Sequence, residues 1–238
     1  LKRKALFIIN PVAGGKKKDH LPGLIQQYLD KTQTEPTLIF TEQSGHANWL
    51  AKEATATYEL IVAVGGDGTV NEIASAVAGT PVAFGIVPCG SGNGLSRFLG
   101  VPMDAKQAID TLNRYHTEVI DAGKLNGQWF FNMAGMGFDA HISQVFAQQH
   151  TRGFVTYFKA SVQEIIRYRS QNYHLEIDGV AYSRDAFMLS FANSSQYGNN
   201  AHVSPHASVQ DGLIDVCIIK PFPLYRFPEM GLRMFTKT

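Results

Sequence analysis

An α/β fold for the first half of the chain is predicted by three places where an apolar run ends in glycines and gives way to helix-like periodicity: Ile9 to Gly15, Val64 to Thr69 and Val87 to Gly94. Strands that hand over to helices in this way imply a parallel sheet with helices on both faces. Beyond residue 122 the texture changes to period-2 runs separated by Asn-Gly and Asp-Gly turns, which predicts a mainly antiparallel β domain. The expected domains are residues 1–122 and 123–238, with the site in the cleft between them, where pockets often lie.

Along the first half, Ala5-Leu-Phe-Ile-Ile9 is a short apolar run that reads as the first strand, and a helix is expected over 18–31. Strand 37–40, helix 45–55 and strand 60–64 follow, the last an aliphatic run that breaks into Gly65-Gly66-Asp67-Gly68-Thr69. Periodicity resumes as helix 70–78, then Pro81-Val-Ala-Phe-Gly-Ile-Val87 reads as a buried strand over 82–87. Amphipathic Leu95-Ser-Arg-Phe-Leu99 places a helix at 91–99, and another is expected at 104–115. In the second half, strands are expected in Gln128–Met133, Tyr173–Ile177, Ala186–Ala192 and Leu213–Ile219, with turns at Asn126-Gly and Asp178-Gly. A long helix over Phe154–Ser170 interrupts them. It mixes aromatics with Lys159, Arg167 and Arg169, so its face either packs on the β domain or rests on an anionic membrane. The apolar tail from Phe222 to Phe235 is core, a lipid-facing surface or a contact for another segment.

With 238 residues, 45% of them hydrophobic, the chain can bury a sizeable core, and it reads as a soluble globular protein. A formal net charge of +1 gives no global field for nucleic acid. Cys89 and Cys217 make no disulfide framework, which fits a reducing compartment. No run reaches the ~18–20 apolar residues of a spanning helix and no signal peptide is legible, so the expected address is cytoplasmic.

The chemistry lies in the glycine turns. Three glycines in four positions at 65–68 let backbone N–H groups approach an anion with no Cβ in the way. Thr69 adds a hydroxyl, and Asp67 can organise a cation or a water shell. An ordinary βα turn is the alternative. Pro88-Cys-Gly-Ser-Gly-Asn-Gly94 repeats the pattern, and Asn10-Pro-Val-Ala-Gly-Gly15, followed by Lys16 to Lys18, repeats it again. Ligands of open α/β sheets bind beyond the carboxyl ends of the strands, so the three turns can converge on one polyphosphate. Other patterns are weaker. Gly135-Met-Gly-Phe-Asp-Ala140 lacks the βαβ context of a dinucleotide site, Pro205 between His202 and His206 argues against a metal helix, and Asn193-Ser-Ser195 is a glycosylation sequon by spelling alone.

Taken together these segments resemble the diacylglycerol kinase catalytic-domain family, which includes sphingosine kinases and bacterial lipid kinases. The resemblance rests on Asn10-Pro with Gly14, Thr41 with Gly45-His46-Ala47, Gly65 to Glu72 and Pro88 to Asn93. It continues through Val119-Ile-Asp121, Asn132 to Ala140 and Asp211-Gly-Leu-Ile-Asp215. The Gly-Asp-Gly-Thr signature is shared with NAD kinases and, more loosely, phosphofructokinases; Asn10-Pro and Gly-Ser-Gly-Asn favour the lipid branch.

The resemblance implies an ATP- and Mg²⁺-dependent kinase that phosphorylates a lipid hydroxyl, of diacylglycerol or sphingoid type, at the membrane surface, with no nucleic-acid partner. It implies nucleotide contacts from Asn10, Thr41, Gly65, Gly66, Asp67, Gly68, Thr69, Asn71, Glu72, Gly90 and Ser91. Glu72 equally suits the dipole of a helix start. Asp67 and Asp121 are the implied catalytic acids, although Asp121 reads as well as a turn or cap residue before Gly123. Gly94 stands where the family has a further aspartate. Ser208, Asp211 and Leu213 match a structural Mg²⁺ position, and a plain Asp-Gly turn explains them nearly as well. The family's Asp-Gly-Glu base motif is not in these residues and is expected beyond Thr238. A peripheral station on the inner membrane face follows from the lipid substrate, and a homodimer stays open. The rival functions are an NAD kinase-type enzyme and a non-catalytic nucleotide or lipid-binding regulator.

Overall fold

The structure, a computed structural model, describes residues 2–15, 18–147 and 164–237. Its chain contacts divide it into two compact units, Leu1–Phe131 and Asn132–Thr238.

In the first unit, β1 (Arg3–Ile9), β2 (Thr34–Phe40), β3 (Leu60–Gly65) and β4 (Ala83–Pro88) form one parallel sheet in the order β2-β1-β3-β4. The helices are α1 (Leu21–Tyr28), α2 (His46–Ala54), α3 (Asp67–Val77), α4 (Gly94–Phe98) and α5 (Ala105–Arg114). Alternation along the strands sorts the core into two layers. Phe7, Ile9, Val62, Val64 and Val87 pack with Leu21 and Ile25 of α1 and Ala108 and Ile109 of α5. Leu6, Ile8, Ile61, Ala63 and Ile86 pack with Ala47 and Ala51 of α2 and Val70 and Ile73 of α3. Both faces of β3 are sealed, which is why it reads as a continuous aliphatic run rather than an alternation. The hairpin of β5 (Gly123–Leu125) and β6 (Gln128–Phe130) also belongs to this unit. Its turn uses Asn126 and Gly127, both at positive φ, as a two-residue hairpin requires.

In the second unit, β7 (Met133–Gly137), β10 (Met188–Ala192) and β13 (Asp215–Ile219) form an antiparallel sheet in the order β13-β10-β7. Two hairpins accompany it: β8 (Gln171–Ile177) with β9 (Val180–Ala186), and β11 (Gln196–Gly198) with β12 (Ala201–His202). Helix α6 (Phe138–Ala147) runs straight on from β7, and α7 (Phe227–Thr236) follows a 3-10 turn at Leu224–Arg226. Phe138, Ile142, Ile165, Phe187 and Met188 make the core, with Phe138 and Phe187 stacked at 4.5 Å between ring centroids.

The fold class expected from sequence, parallel α/β followed by mainly antiparallel β, is the one observed. Several bounds differ. The helix expected at 70–78 begins at Asp67, so the glycine turn is itself the first helical turn. The run 186–192 belongs to two strands that part at Phe187, and α6 was not anticipated, because Gly135 and Gly137 disguise a strand-to-helix passage. Of the helix expected over 154–170, residues 154–163 lie outside the described residues; Ile165–Arg167 form a turn and 168–170 are irregular. Phe222 and Phe227 of the apolar tail pack against the core, whereas Leu224, Tyr225 and Leu232 are exposed. Among the described residues, no helix is long and apolar enough to cross a membrane.

Candidate functional site

Because the chain visits β2 before returning to β3, connections leave the adjacent strands β1 and β3 in opposite directions. A crevice opens beyond their carboxyl ends, the usual ligand position in such sheets. All three glycine turns meet there.

Asn10, just past β1, ties the first turn to the second. Its backbone N–H donates to Val64 O at 2.9 Å, and its Nδ2 donates to Thr69 Oγ1 at 3.0 Å. Its Oδ1 accepts from Val12 N at 3.1 Å, closing the loop locally. Thr69 is buried over Gly65, where a Cβ would lie 2.5 Å from the threonine hydroxyl. Only glycine fits beneath it.

The second and third turns touch backbone to backbone. A Cβ on Gly90 would stand 2.5 Å from Gly66 Cα, and Cys89 N donates to Gly65 O at 2.7 Å. Asp67, in the first turn of α3, reaches across: its Oδ2 accepts from Asn93 N at 2.8 Å and its Oδ1 from Gly94 N at 2.7 Å. One carboxylate thus caps the start of α4 and clamps the two turns together. Asn93, buried at φ 53°, supports the third turn by accepting from Gly90 N at 3.0 Å and donating to Gly90 O at 2.9 Å. Arg97 Nε donates to Gly92 O at 3.0 Å. The first turn closes on the third at Gly14, whose φ is 62° and whose Cβ, if present, would lie 2.5 Å from the Cys89 carbonyl oxygen. Every pair of turns is therefore in direct contact.

The other expected contacts fall around this rim. Thr41 is buried at the end of β2, its N–H donating to Ile9 O at 2.9 Å. Glu72 Oε1 accepts from Gly45 N at 3.0 Å and Glu72 O accepts from Asn48 Nδ2 at 2.7 Å, so this residue ties α3 to the start of α2. Asn71 and Ser91 are exposed. Asp121 is half-buried in the irregular segment between α5 and β5, next to Ala122, which packs on the core. It lies in none of the glycine turns.

The segment matched to a structural metal position shows turn chemistry. Ser208 Oγ accepts from Gln210 N at 3.2 Å and Asp211 Oδ1 accepts from Leu213 N at 3.0 Å, with Gly212 at φ 73°. Among the described residues no three of His, Cys, Asp and Glu gather as a metal cage. His202 is not a ligand pair with His206 but a buried partner of Ser195, Oγ to Nδ1 3.1 Å, and Asn193 of the sequon is fully buried. Burial pushes the Cys89 thiol pKa up, and the weaker pull of Lys18 does not offset it, which disfavours a thiolate nucleophile.

Sequence reasoning did not single out the structural parts played by Asn93 and Gly14. Their signals are legible in retrospect: an asparagine before a short helix is suited to a left-handed cap, and a glycine two residues past a Pro-Val pair to a positive-φ turn.

Comparison with known proteins matches residues 4–125 to the diacylglycerol kinase catalytic domain. Residues 132–236 match the YegS C-terminal NAD kinase beta sandwich-like domain. A diacylglycerol kinase of Bacillus subtilis (strain 168) is 30% identical over 232 residues, spanning 94% of this chain and 76% of that protein. A Staphylococcus aureus (strain bovine RF122 / ET3-1) diacylglycerol kinase is 26% identical over 229 residues, spanning 92% and 71%. In fold, a crystal structure of a diacylglycerol kinase from Bacillus anthracis str. Sterne superposes with a TM-score of 0.73 at 24% identity, covering 96% of this chain and 77% of that one.

Proposed function

We propose that this chain, which belongs to the diacylglycerol kinase catalytic domain family, is an ATP- and Mg²⁺-dependent lipid kinase that transfers the γ-phosphoryl group of ATP to a lipid hydroxyl. The observation that carries the reading is the mutual contact of three glycine turns at the carboxyl edge of β1, β3 and β4.

Phosphoryl transfer asks a protein for positioning and charge neutralisation more than for covalent chemistry. The α3 N-terminus begins at Gly66 with no side-chain cap, so its first-turn N–H groups and helix dipole are available to phosphate oxygens. Gly65, Gly66, Gly68 and Thr69, with Gly90 and Ser91 opposite, form the phosphate cradle, and Asn10 holds the Thr69 hydroxyl in place. Thr41, Asn71 and Glu72 complete the nucleotide rim.

These residues fit a Mg²⁺ ion that is brought by the nucleotide and keeps most of its water. Asp67 uses one lone pair of each oxygen on backbone N–H groups and retains the others for a hydrated ion, and Asp121 is the second acid of the proposal. The ion, when bound, neutralises phosphate charge. Ser208, Asp211 and Leu213 stay as a proposed structural Mg²⁺ position on the strength of the family resemblance alone.

The test is incubation with labelled ATP, Mg²⁺ and a panel of diacylglycerol and sphingoid lipids in mixed micelles, with NAD as a parallel acceptor. Label in one lipid product is expected and identifies the acceptor. Label in NAD alone, or ATP binding with no turnover of any acceptor, contradicts the proposal in favour of a soluble-substrate kinase or a non-catalytic regulator.

A further inference from the structure

Lys18 is 6% exposed, although lysine is among the residues least often buried unless paired. Among the described residues, no carboxylate lies within ion-pair distance of it, and its side chain makes no hydrogen bond. Taking an ammonium out of water is costly, and a protein normally offsets that cost with a partner. Here the protein side supplies none.

Its position says what the partner is. Lys18 lies four residues beyond Gly14, whose backbone is pressed against the Cys89 carbonyl in the turn after β4. Its own carbonyl accepts from Leu21 N at 3.0 Å, fixing it at the entry to α1, whose Leu21 and Ile25 share a core layer with Cys89. The ammonium is also close enough to Cys89 to pull its thiol toward ionisation, against the larger effect of burial. A desolvated cation therefore stands beside the cradle built by the first and third turns.

We infer that Lys18 is a phosphate-binding residue of this site, its ammonium donating to a non-bridging phosphate oxygen of the bound nucleotide. The inference rests on the nucleotide reading above and adds a specific donor to it. A neutral cradle of backbone N–H groups recognises the shape of a polyphosphate, and a lysine already largely buried adds charge without its desolvation being incurred anew when ligand arrives.

The test compares wild type, Lys18→Met and Lys18→Arg in ATP binding by calorimetry, with adenosine as the uncharged probe, and in thermal melting without nucleotide. Met keeps the length and apolar stem. Lys18→Met is expected to weaken ATP binding about tenfold to a hundredfold, as loss of a charge-assisted bond does, and to leave adenosine binding unchanged. Its ATP affinity should fall less steeply with salt than that of wild type. The nucleotide-free variant should melt no lower than wild type, since an unpaired buried charge has been removed, and Lys18→Arg should recover part of the ATP affinity. A folded Lys18→Met that binds ATP as wild type does overturns the inference and leaves the kinase reading standing. A variant that melts well below wild type assigns the ammonium to the fold and also overturns it. A wild-type protein that binds no ATP defeats both.

Discussion

Replacing Asp67 by alanine removes two charge-assisted bonds, at 2.8 and 2.7 Å, from the backbone N–H groups of Asn93 and Gly94. Because Asp67 is exposed, water can reach the vacated donors, so the loss is that of a good helix cap rather than of two buried bonds, about 1–2 kcal/mol in all. For a protein of this size that corresponds to a melting point lower by about 2–8 °C. Asn keeps one acceptor and should cost about half as much. The pair of variants separates the two jobs given to this carboxylate. If it only clamps the turns, Asp67→Asn retains most of the kinase activity; if it also organises the ion and water around the phosphates, Asp67→Asn loses about a hundredfold or more in kcat despite near-normal melting. The second result is expected. Calorimetric or fluorescence melting and steady-state turnover of the two variants decide it. An Asp67→Ala protein that melts with wild type refutes the clamp, and an Asp67→Asn protein of full activity refutes the catalytic role.

Gly90→Ala forces a methyl to within 2.5 Å of Gly66 Cα and 2.7 Å of Asn93 Oδ1, so it should destabilise by about 1–3 kcal/mol and abolish nucleotide binding, as read by melting with and without ATP. Gly14→Ala combines a φ of 62° with a 2.5 Å approach to the Cys89 carbonyl oxygen and should cost at least as much in the same assay. Gly68→Ala meets nothing within 4 Å and sits in a helix, so it should melt no lower than wild type, yet bind ATP about tenfold or more weakly because its methyl occupies the approach of a phosphate. His202 has a pKa lowered first by burial and then by Lys237, so the folded state disfavours its protonated form. The unfolded chain takes up a proton near pH 6.5 while the folded one resists, so this residue's contribution to stability is present above that pH and is lost as pH falls below it. Denaturant titrations from pH 7.5 to 5 should show that slope in wild type and a shallower one in His202→Gln.

The parallel sheet was legible because β3 is buried throughout and β1 and β4 are buried over their last residues, so all three read as apolar runs, each followed by a glycine-containing turn. The turns were legible for the same reason their glycines are needed: Gly66 and Gly90 press on each other across two turns, and Gly65 lies directly under the Thr69 side chain of its own turn, so a Cβ at any of the three meets an atom within 3.0 Å. What sequence spacing does not encode is who meets whom. Asp67 reads as a metal acid from its motif, yet its first partners are two N–H groups 26 and 27 residues downstream. Glu72 reads as a nucleotide or dipole residue and is found holding Gly45. Lys18 reads as one member of a three-lysine cluster after the first glycine turn, and only the folded chain shows it buried. Helix α6 escaped notice because its strand is glycine-rich and its first residues, Phe138 and Asp139, carry no helix-start signal stronger than the turn before them. In Ser208–Leu213 the same letters spell a metal site and an Asx turn; the turn bonds are present, and the letters alone do not discriminate.

The central claim is that the turns at Gly14, Gly66 and Gly90 gather around a single triphosphate. A crystal structure with a non-hydrolysable ATP analogue tests it most directly. The account predicts phosphate oxygens within hydrogen-bonding distance of the first-turn N–H groups of α3 and of the Gly90–Ser91 backbone, with the Lys18 ammonium on the same polyphosphate. An analogue seated elsewhere, with these three turns empty, contradicts it.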